Sequence, residues 1–340
     1  MDKYLFFLIV LFISQSAFSQ SNNNERVASF MFYNVENLFD TKKDSINNDG
    51  EFTPEGVRRW NYTRLRKKWA DIAKVITNAG GWNLPVVVGL CEVENRWVLT
   101  SLLEQTGLAN LSYGVIHYDS PDNRGIDVAM FYLKNRMSVI ESKPIDVNFG
   151  PNERPTRDIL FVKGVIDSID TIYMMVNHWP SRYGGAAVTQ PKREKAAEIV
   201  RSISDSIRII NPNSKIIIMG DFNEPAKSDV FTQTLGAGIP SDTTWLVSPA
   251  LEMSPDNLGT LKYRHTWDIF DMFIISRPVL EGTKGYKMIE PHMKIVDLPF
   301  LLQPDHNYGG QKLFRTYEGF KYTGGYSDHL PVWIDLHLTQ

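Results

Sequence analysis

The chain has 340 residues, one cysteine and a formal net charge of −3. Its 43% hydrophobic and 22% charged content is that of a globular protein and excludes wholesale disorder. Near-neutral charge excludes a general basic field for nucleic acid, so any phosphate recognition has to be local. Cys91 alone can neither bridge internally nor build a cysteine-based zinc site.

The first residues read as a targeting segment. Lys3 supplies a positive start, Tyr4–Ile13 is an unbroken apolar run, and Ala17-Phe18-Ser19 offers small residues before a cleavage point at Gln20. The run is shorter than the roughly 20 residues a membrane span needs. A signal peptide over residues 1–19 is therefore expected, and with it a secreted or periplasmic protein. Ser21–Glu25 is a polar lead. From residue 26 to 340 there is no repeat, low-complexity block or linker, so one domain is expected.

Runs rich in β-branched and aromatic residues predict strands at Ala28–Asn34, Val86–Leu90, Asp127–Leu133, Ile159–Ile166, Thr171–Asn177, Lys215–Met219, Phe270–Ile275 and Val332–Leu338. An apolar stripe of Leu65, Trp69, Ile72, Ala73 and Ile76 predicts a helix over Asn61–Asn78. A second, Pro191–Ile209, has proline in its first turn and a stripe through Ala196, Ile199, Val200, Ile203 and Ile207. Arg96–Thr106 is a weaker third. Several strand runs are apolar throughout, which argues for sheets covered on both faces. Many strands and few helices favour a layered α/β sandwich over a barrel. Tyr183–Thr189 and the long Asp297–Tyr326 stretch read as functional loops.

Polar groups recur where strands end. They are Tyr33-Asn34-Val35-Glu36-Asn37, Cys91-Glu92-Val93-Glu94, Asn177-His178-Trp179, Gly220-Asp221-Phe222-Asn223, Asp268 to Asp271, and Ser327-Asp328-His329. Converging strand ends would make a cup of carboxylate and amide oxygens with two histidines, which suits Mg²⁺ or Mn²⁺. No HExxH, GxxxxGK[ST], GxGxxG or GxSxG motif is present, which disfavours a zinc peptidase, a nucleotide-cradling loop and a serine hydrolase. Singly, each piece has a bland reading: Gly-Asp is a common turn, and a lone histidine is commonly a packing residue. Six such ends in one chain argue otherwise.

In that order, the set resembles the endonuclease/exonuclease/phosphatase family over about Val27 to Leu338, with Gly-Asp-Phe-Asn and Ser-Asp-His its most specific motifs. The resemblance implies a four-layer α-β-β-α sandwich, with two mixed sheets face to face, helices outside, and the site at one end of the sheets. It implies Glu92 and Asn34 as metal ligands, Asp328 in the same metal cup, and Glu36 as a further metal ligand at a position that is often Asp or another polar residue in the family. It implies His329 beside the scissile phosphate, oriented by Asp271, and Asp221 orienting or deprotonating the attacking water. Asn223 would hold that water or the phosphate, and His178 would be the second histidine, a phosphate contact or acid. Beside that carry-over, Asn177, Arg124 and Arg182 are candidate phosphate contacts, with a loop ion pair to Asp122 or Asp127 as the plain alternative for Arg124. Arg157 is a weaker candidate. Trp179, Tyr263, Trp267 and the aromatics of Asp297–Tyr326 either stack on a substrate or hold loops down.

The expected function is an exported Mg²⁺- or Mn²⁺-dependent phosphoester hydrolase, a nuclease acting on DNA or RNA. The alternative is a phosphatase or phosphodiesterase acting on an inositol phosphate or a phospholipid head group. A non-catalytic binding protein on this fold would have lost Asp221, Asn223 or His329, and all three are present. No protein partner is implied, and a monomer is expected.

Overall fold

The computed structural model describes residues 26–44, 47–256 and 258–339. The expected signal peptide and polar lead lie outside the described residues. Two seven-stranded mixed sheets form the body. The first contains β1 (Val27–Leu38), β2 (Val87–Val93), β3 (Tyr113–His117) and β4 (Asp127–Leu133). Its order is Gly285–Lys287, the C-terminal strand Val332–Thr339, β1, β2, β4, β3, with Lys294–Ile295 also paired to the C-terminal strand. The second contains β5 (Met137–Ile145), β6 (Ile159–Ile166), β7 (Asp170–His178) and β8 (Lys215–Asp221), followed in space by Asp271–Ser276, Leu246–Val247 and Ala237–Gly238.

Each sheet has a parallel pair near its centre: β1 with β2, and β7 with β8. The long neighbours of those pairs run antiparallel. The carboxyl ends of both parallel pairs point to the same end of the molecule, so polar residues that are far apart in sequence meet there. The inner faces form one hydrophobic core that includes Phe30, Phe32, Val87, Met174, Val176, Ile217, Met219 and Phe273. Gly89 lets the sheets approach, since a Cβ there would lie 2.6 Å from the Met219 sulfur. Gly220 serves the site more directly. A Cβ at Gly220 would lie 2.4 Å from the Asn177 carbonyl oxygen, so β7 and β8 could not keep their register beside Asp221.

The helices lie on the outer faces. In α1 (Tyr62–Asn78), the Asn61 side chain caps the first turn by accepting from the Arg64 amide. Asn95 caps α2 (Arg96–Glu104) in the same way. The third helix, α3, runs Ala186–Ile210 and begins five residues before Pro191, the expected start. Proline is therefore inside the helix and not in its first turn as expected, and it leaves the Ala187 carbonyl without its i→i−4 donor.

The Asp297–Tyr326 stretch is ordered, not an open loop. It contains the antiparallel pairs Leu302–Pro304 with Gln311–Leu313 and Tyr317–Glu318 with Lys321–Tyr322. Cations on and before α1 pin it through ring faces. Arg58 lies over Phe52, Tyr317 and Phe320, Arg64 over Tyr322, and Lys74 over Phe300 and Tyr326.

Candidate active site

Strand register sets the centre of the site. Asp221 ends β8, opposite His178 on one side and Asp271 on the other. All three are buried. The Oδ2 atom of Asp221 is the hub. It accepts from Asn34 Nδ2 at 3.0 Å and lies 3.6 Å from His178 Nε2 and 3.8 Å from His329 Nε2. The Oδ1 atom accepts the Asn223 amide at 2.9 Å. Asn223 also donates its side-chain amide to the Trp179 carbonyl at 3.0 Å, and its backbone is left-handed, at φ 52°.

His329 is fixed from behind. Its Nδ1 lies 2.7 Å from Asp271 Oδ2, and its backbone amide donates to Ser327 Oγ at 3.1 Å. Ser327 Oγ in turn donates to the Asn34 carbonyl at 2.7 Å, which ties the Ser-Asp-His turn to β1.

The two histidines are driven apart electrically. Burial lowers His178 well below the ordinary imidazole range, with Arg157, Arg124 and His329 adding to the effect. Burial also opposes charge on His329, but Asp271 and Asp221 outweigh it and raise His329 well above that range. Burial pushes the Asp221 carboxyl up, His329 pulls it down, and Asp271 adds to the upward push. The centre therefore holds a neutral imidazole, an imidazolium and a carboxylate poised to take a proton.

The first sheet contributes the other rim. Here β1 and β2 bulge, and Glu36 (φ 52°), Asn37 (φ 56°) and Glu92 (φ 60°) all take the left-handed conformation. Such backbone is strained for residues with a Cβ and is typical of functional sites. The bulge turns Glu92 inward. Its Oε2 accepts the Asn37 amide at 2.9 Å, and its Oε1 lies 3.9 Å from Arg124 Nη2. Arg124 also donates to Asn37 Oδ1 at 2.9 Å, so the plain alternative of a local ion pair is not adopted. Asp122 instead pairs with the buried Arg157, and Asp127 with His117.

Glu36 and Asp328 share the Arg315 guanidinium, at 3.1 and 2.8 Å. Glu36 also accepts the Thr316 amide at 2.7 Å. Burial and Asp328 push Glu36 up, against Lys68 and Arg315. Burial resists charge on Asp328, but Arg315, His329 and Lys68 hold it below the ordinary carboxylate range. Neither Arg315 nor the buried Lys68 could be read from sequence. Each reaches its partners across more than 240 residues or from within an aromatic loop, with no local spacing pattern.

Two of the expected phosphate contacts are placed differently. The Asn177 side chain is fully buried. Its amide donates to the Met175 and Met219 carbonyls, and its oxygen accepts Trp179 Nε1, so it braces β7 against β8 and has no free group for a phosphate. Arg182 lies 5.6 Å from the centroid of the Phe270 ring, beside the centre and not in it. Trp179 is a core residue packed on Phe222 and Phe231.

Behind the rim, the fully buried Arg193 of α3 donates to Glu224 Oε1 at 2.6 Å, to the Pro180 and Ala186 carbonyls, and to Thr189 Oγ1. It fastens the loops after β7 and β8 to the helix.

The donors of the first rim are carboxylate and amide oxygens. Among the described residues Glu92 Oε1 accepts no hydrogen bond, Arg124 Nη2 lying 3.9 Å away, and Asp328 is held below the ordinary carboxylate range. This set fits a hard divalent cation. Among the described residues, Asp221 also belongs to two tight groupings of ligand-type atoms, one with Asp271 and His329 and one with Cys91 and His178.

The sequence matches the profile of the Endonuclease/Exonuclease/phosphatase family over residues 29–338. The chain belongs to this family. No curated protein matches it. Solved structures with the same fold include D. rerio TDP2 complexed with a single-strand DNA product, 16% identical over 91% of this chain and 98% of that one, with a TM-score of 0.55. A family protein from Bacteroides thetaiotaomicron is 14% identical over 92% and 98%, with a TM-score of 0.55. The human Nocturnin catalytic domain with bound sulfate is 15% identical over 92% and 95%, with a TM-score of 0.51. At these identities the likeness is one of fold, and it agrees with the two-sheet sandwich expected from sequence.

Proposed function

We propose that this family member is an exported, divalent-cation-dependent phosphodiesterase that cleaves nucleic acid. The observation that carries the reading is the hub at Asp221 Oδ2, with both histidines within 4 Å and Asp271 behind one of them. A cation held by Glu92 and Asp328, with Asn34 and Glu36 beside them, would neutralise charge on a non-bridging phosphate oxygen.

The chain's own groups do the rest. Asp221 orients the attacking water and takes its proton, and its raised affinity for protons matches that task. The Asn223 amide and side chain hold Asp221 and the turn after it in place. The His329 imidazolium faces the phosphate and stabilises charge that builds up there, while Asp271 fixes its ring and its proton. Neutral His178 contacts the phosphate from the other side. Arg124 at the rim meets the phosphate as it enters. The apolar run Tyr4–Ile13 and the small residues before Gln20 support export.

The test is hydrolysis of single- and double-stranded oligonucleotides, inositol phosphates and sphingomyelin with Mg²⁺ or Mn²⁺, with chelator controls. Cation-dependent cleavage of oligonucleotides is expected. Cleavage of phosphomonoesters alone would remove the nuclease reading, and no hydrolysis at all would remove the enzyme.

A further inference from the structure

Beside the catalytic centre stands a wall of two hairpins. One is Leu261–Tyr263 with Thr266–Asp268, and its Leu261 forms a β-bridge to His329. The other is Leu302–Pro304 with Gln311–Leu313. Lys262 locks them together. Its ammonium donates to Asp305 Oδ2 at 2.9 Å and to the Gly309 and Gln311 carbonyls at 3.0 and 2.8 Å. The tips also touch, with the His265 and Tyr308 rings 5.7 Å apart, edge to face. The two hairpins are thus joined both through Lys262 and at their tips.

Against this wall lies a groove of about 270 Å³ in which Lys262 pairs with Asp305, Lys312 with Glu318 and Arg315 with Asp328, which leaves Arg264, beside Asn307 and Tyr308, as the lining cation with no carboxylate partner among the described residues. Its lining includes Arg315 and Asp328 of the cation rim. The Tyr308 ring (49% exposed) lines it, and the exposed residues Tyr263 (65%) and Phe320 (68%) are chain neighbours of its lining residues Arg264 and Gly319. Arg264, at the exposed hairpin tip, lies over the Tyr263 ring. A groove that sets the Tyr308 ring beside the Arg264 guanidinium and borders a phosphate-cleaving centre matches an unpaired polynucleotide strand, with a base to stack and a phosphate to meet arginine. A duplex keeps its bases inside the helix and cannot use ring faces in this way. A bilayer would call for a contiguous apolar patch, and here the rings are interrupted by Arg264, His265, Asn307 and Lys312.

We propose that this groove is a subsite for single-stranded nucleic acid flanking the scissile phosphate, with a base stacked on Tyr308 and the adjoining phosphate on Arg264. The assignment rests on the nucleic-acid reading above and narrows its substrate to unpaired strands. It also makes Tyr308 and Arg264 the residues that set the strand preference.

The experiment measures binding without turnover. Fluorescence anisotropy of the purified chain in EDTA is recorded with a single-stranded 12-mer, with the matching duplex, and with phosphatidylcholine–sphingomyelin vesicles. The single strand should bind at least about tenfold more tightly than the duplex. Tyr308→Ala should weaken single-strand binding about tenfold, and Tyr308→Phe, which keeps the ring, should restore it. Arg264→Ala should reduce the slope of log affinity against log salt by about 0.7, the value for one lost single-strand phosphate contact. Trp82→Ala, a fully exposed residue between α1 and β2, is the control that should change nothing.

Equal binding of duplex and single strand, or an unaltered Tyr308→Ala, overturns the subsite while leaving the hydrolase reading standing. Vesicle binding that depends on Tyr308, without single-strand binding, overturns it in favour of a lipid surface. Tyr308-dependent single-strand binding by a chain that hydrolyses no phosphoester upholds the groove and overturns the catalytic reading instead.

Discussion

The two rims of the cup are built differently. The first sheet ends in a bulge, with three residues in left-handed backbone and every carboxylate facing a cation: Glu92 near Arg124, and Glu36 and Asp328 on Arg315. In the second sheet β7, β8 and Asp271–Ser276 keep their register to the end, so that His178, Asp221 and Asp271 stand in one row across three strands. The irregular rim gathers oxygen atoms around a point of positive charge. The regular rim fixes the distances over which the proposed mechanism moves a proton. Asn34 joins them, since it sits on the first rim and donates to Asp221 on the second. The difference teaches that bulge and register have separate tasks, and substitutions should separate them.

The largest effect is expected at the regular rim. Asp221→Asn should lower kcat by about 10²–10⁴ at every Mn²⁺ concentration, because it removes the group that takes the proton. His329→Ala should lower kcat by about 10²–10³, as loss of a charge-stabilising donor does. Steady-state hydrolysis of an oligonucleotide reads both, and a loss recovered by added cation would place the residue on the wrong rim. The bulged rim should behave in the opposite way. Glu92→Gln should shift the Mn²⁺ concentration for half-maximal rate by about tenfold or more, with much of the rate recovered at saturation. A Mn²⁺ titration checks this.

Behind both rims, Arg193→Met leaves Glu224 buried without its partner. A loss of about 3–5 kcal/mol in urea unfolding is expected. The smallest effect concerns pH. Burial pushes Asp158 up to about 6, with Asp146 and Asp127 adding to it. The folded chain therefore holds that proton more tightly than the unfolded chain does, and stability is lost as pH rises from about 4 through about 6. Asp158→Asn should raise the melting temperature at pH 7 and leave it almost unchanged at pH 4, as thermal unfolding at the two values would show.

Apolar strands were legible because burial on both faces leaves a compositional mark. The Asp127–Leu133 and Ile159–Ile166 runs coincide with β4 and β6. The edge strand β5 carries Glu141, Ser142 and Lys143 and is largely exposed, so it has no such mark. The Asp297–Tyr326 stretch read as a loop because its hairpins are two or three residues long and rely on Lys262 and on the cations around α1, which are distant in sequence. The same divide holds in the site. Gly-Asp-Phe-Asn and Ser-Asp-His are local patterns and mark Asp221, Asn223 and His329. Arg315 is a long-range partner of Glu36 and shows no pattern of its own. Asn177 has the right neighbours in sequence but the wrong orientation, since strand alternation turns it into the sheet while His178 faces the cup.

The central claim is that the hub at Asp221 Oδ2 works on a phosphodiester in the presence of a divalent cation. The most direct measurement is the rate of single-strand oligonucleotide cleavage by the wild-type chain and by Asp221→Asn, each with saturating Mn²⁺ and with EDTA. Rapid cleavage by the wild type with Mn²⁺ only, and almost none by the folded variant under either condition, is the predicted result. Cleavage that survives EDTA, or a variant as fast as the wild type, would contradict it.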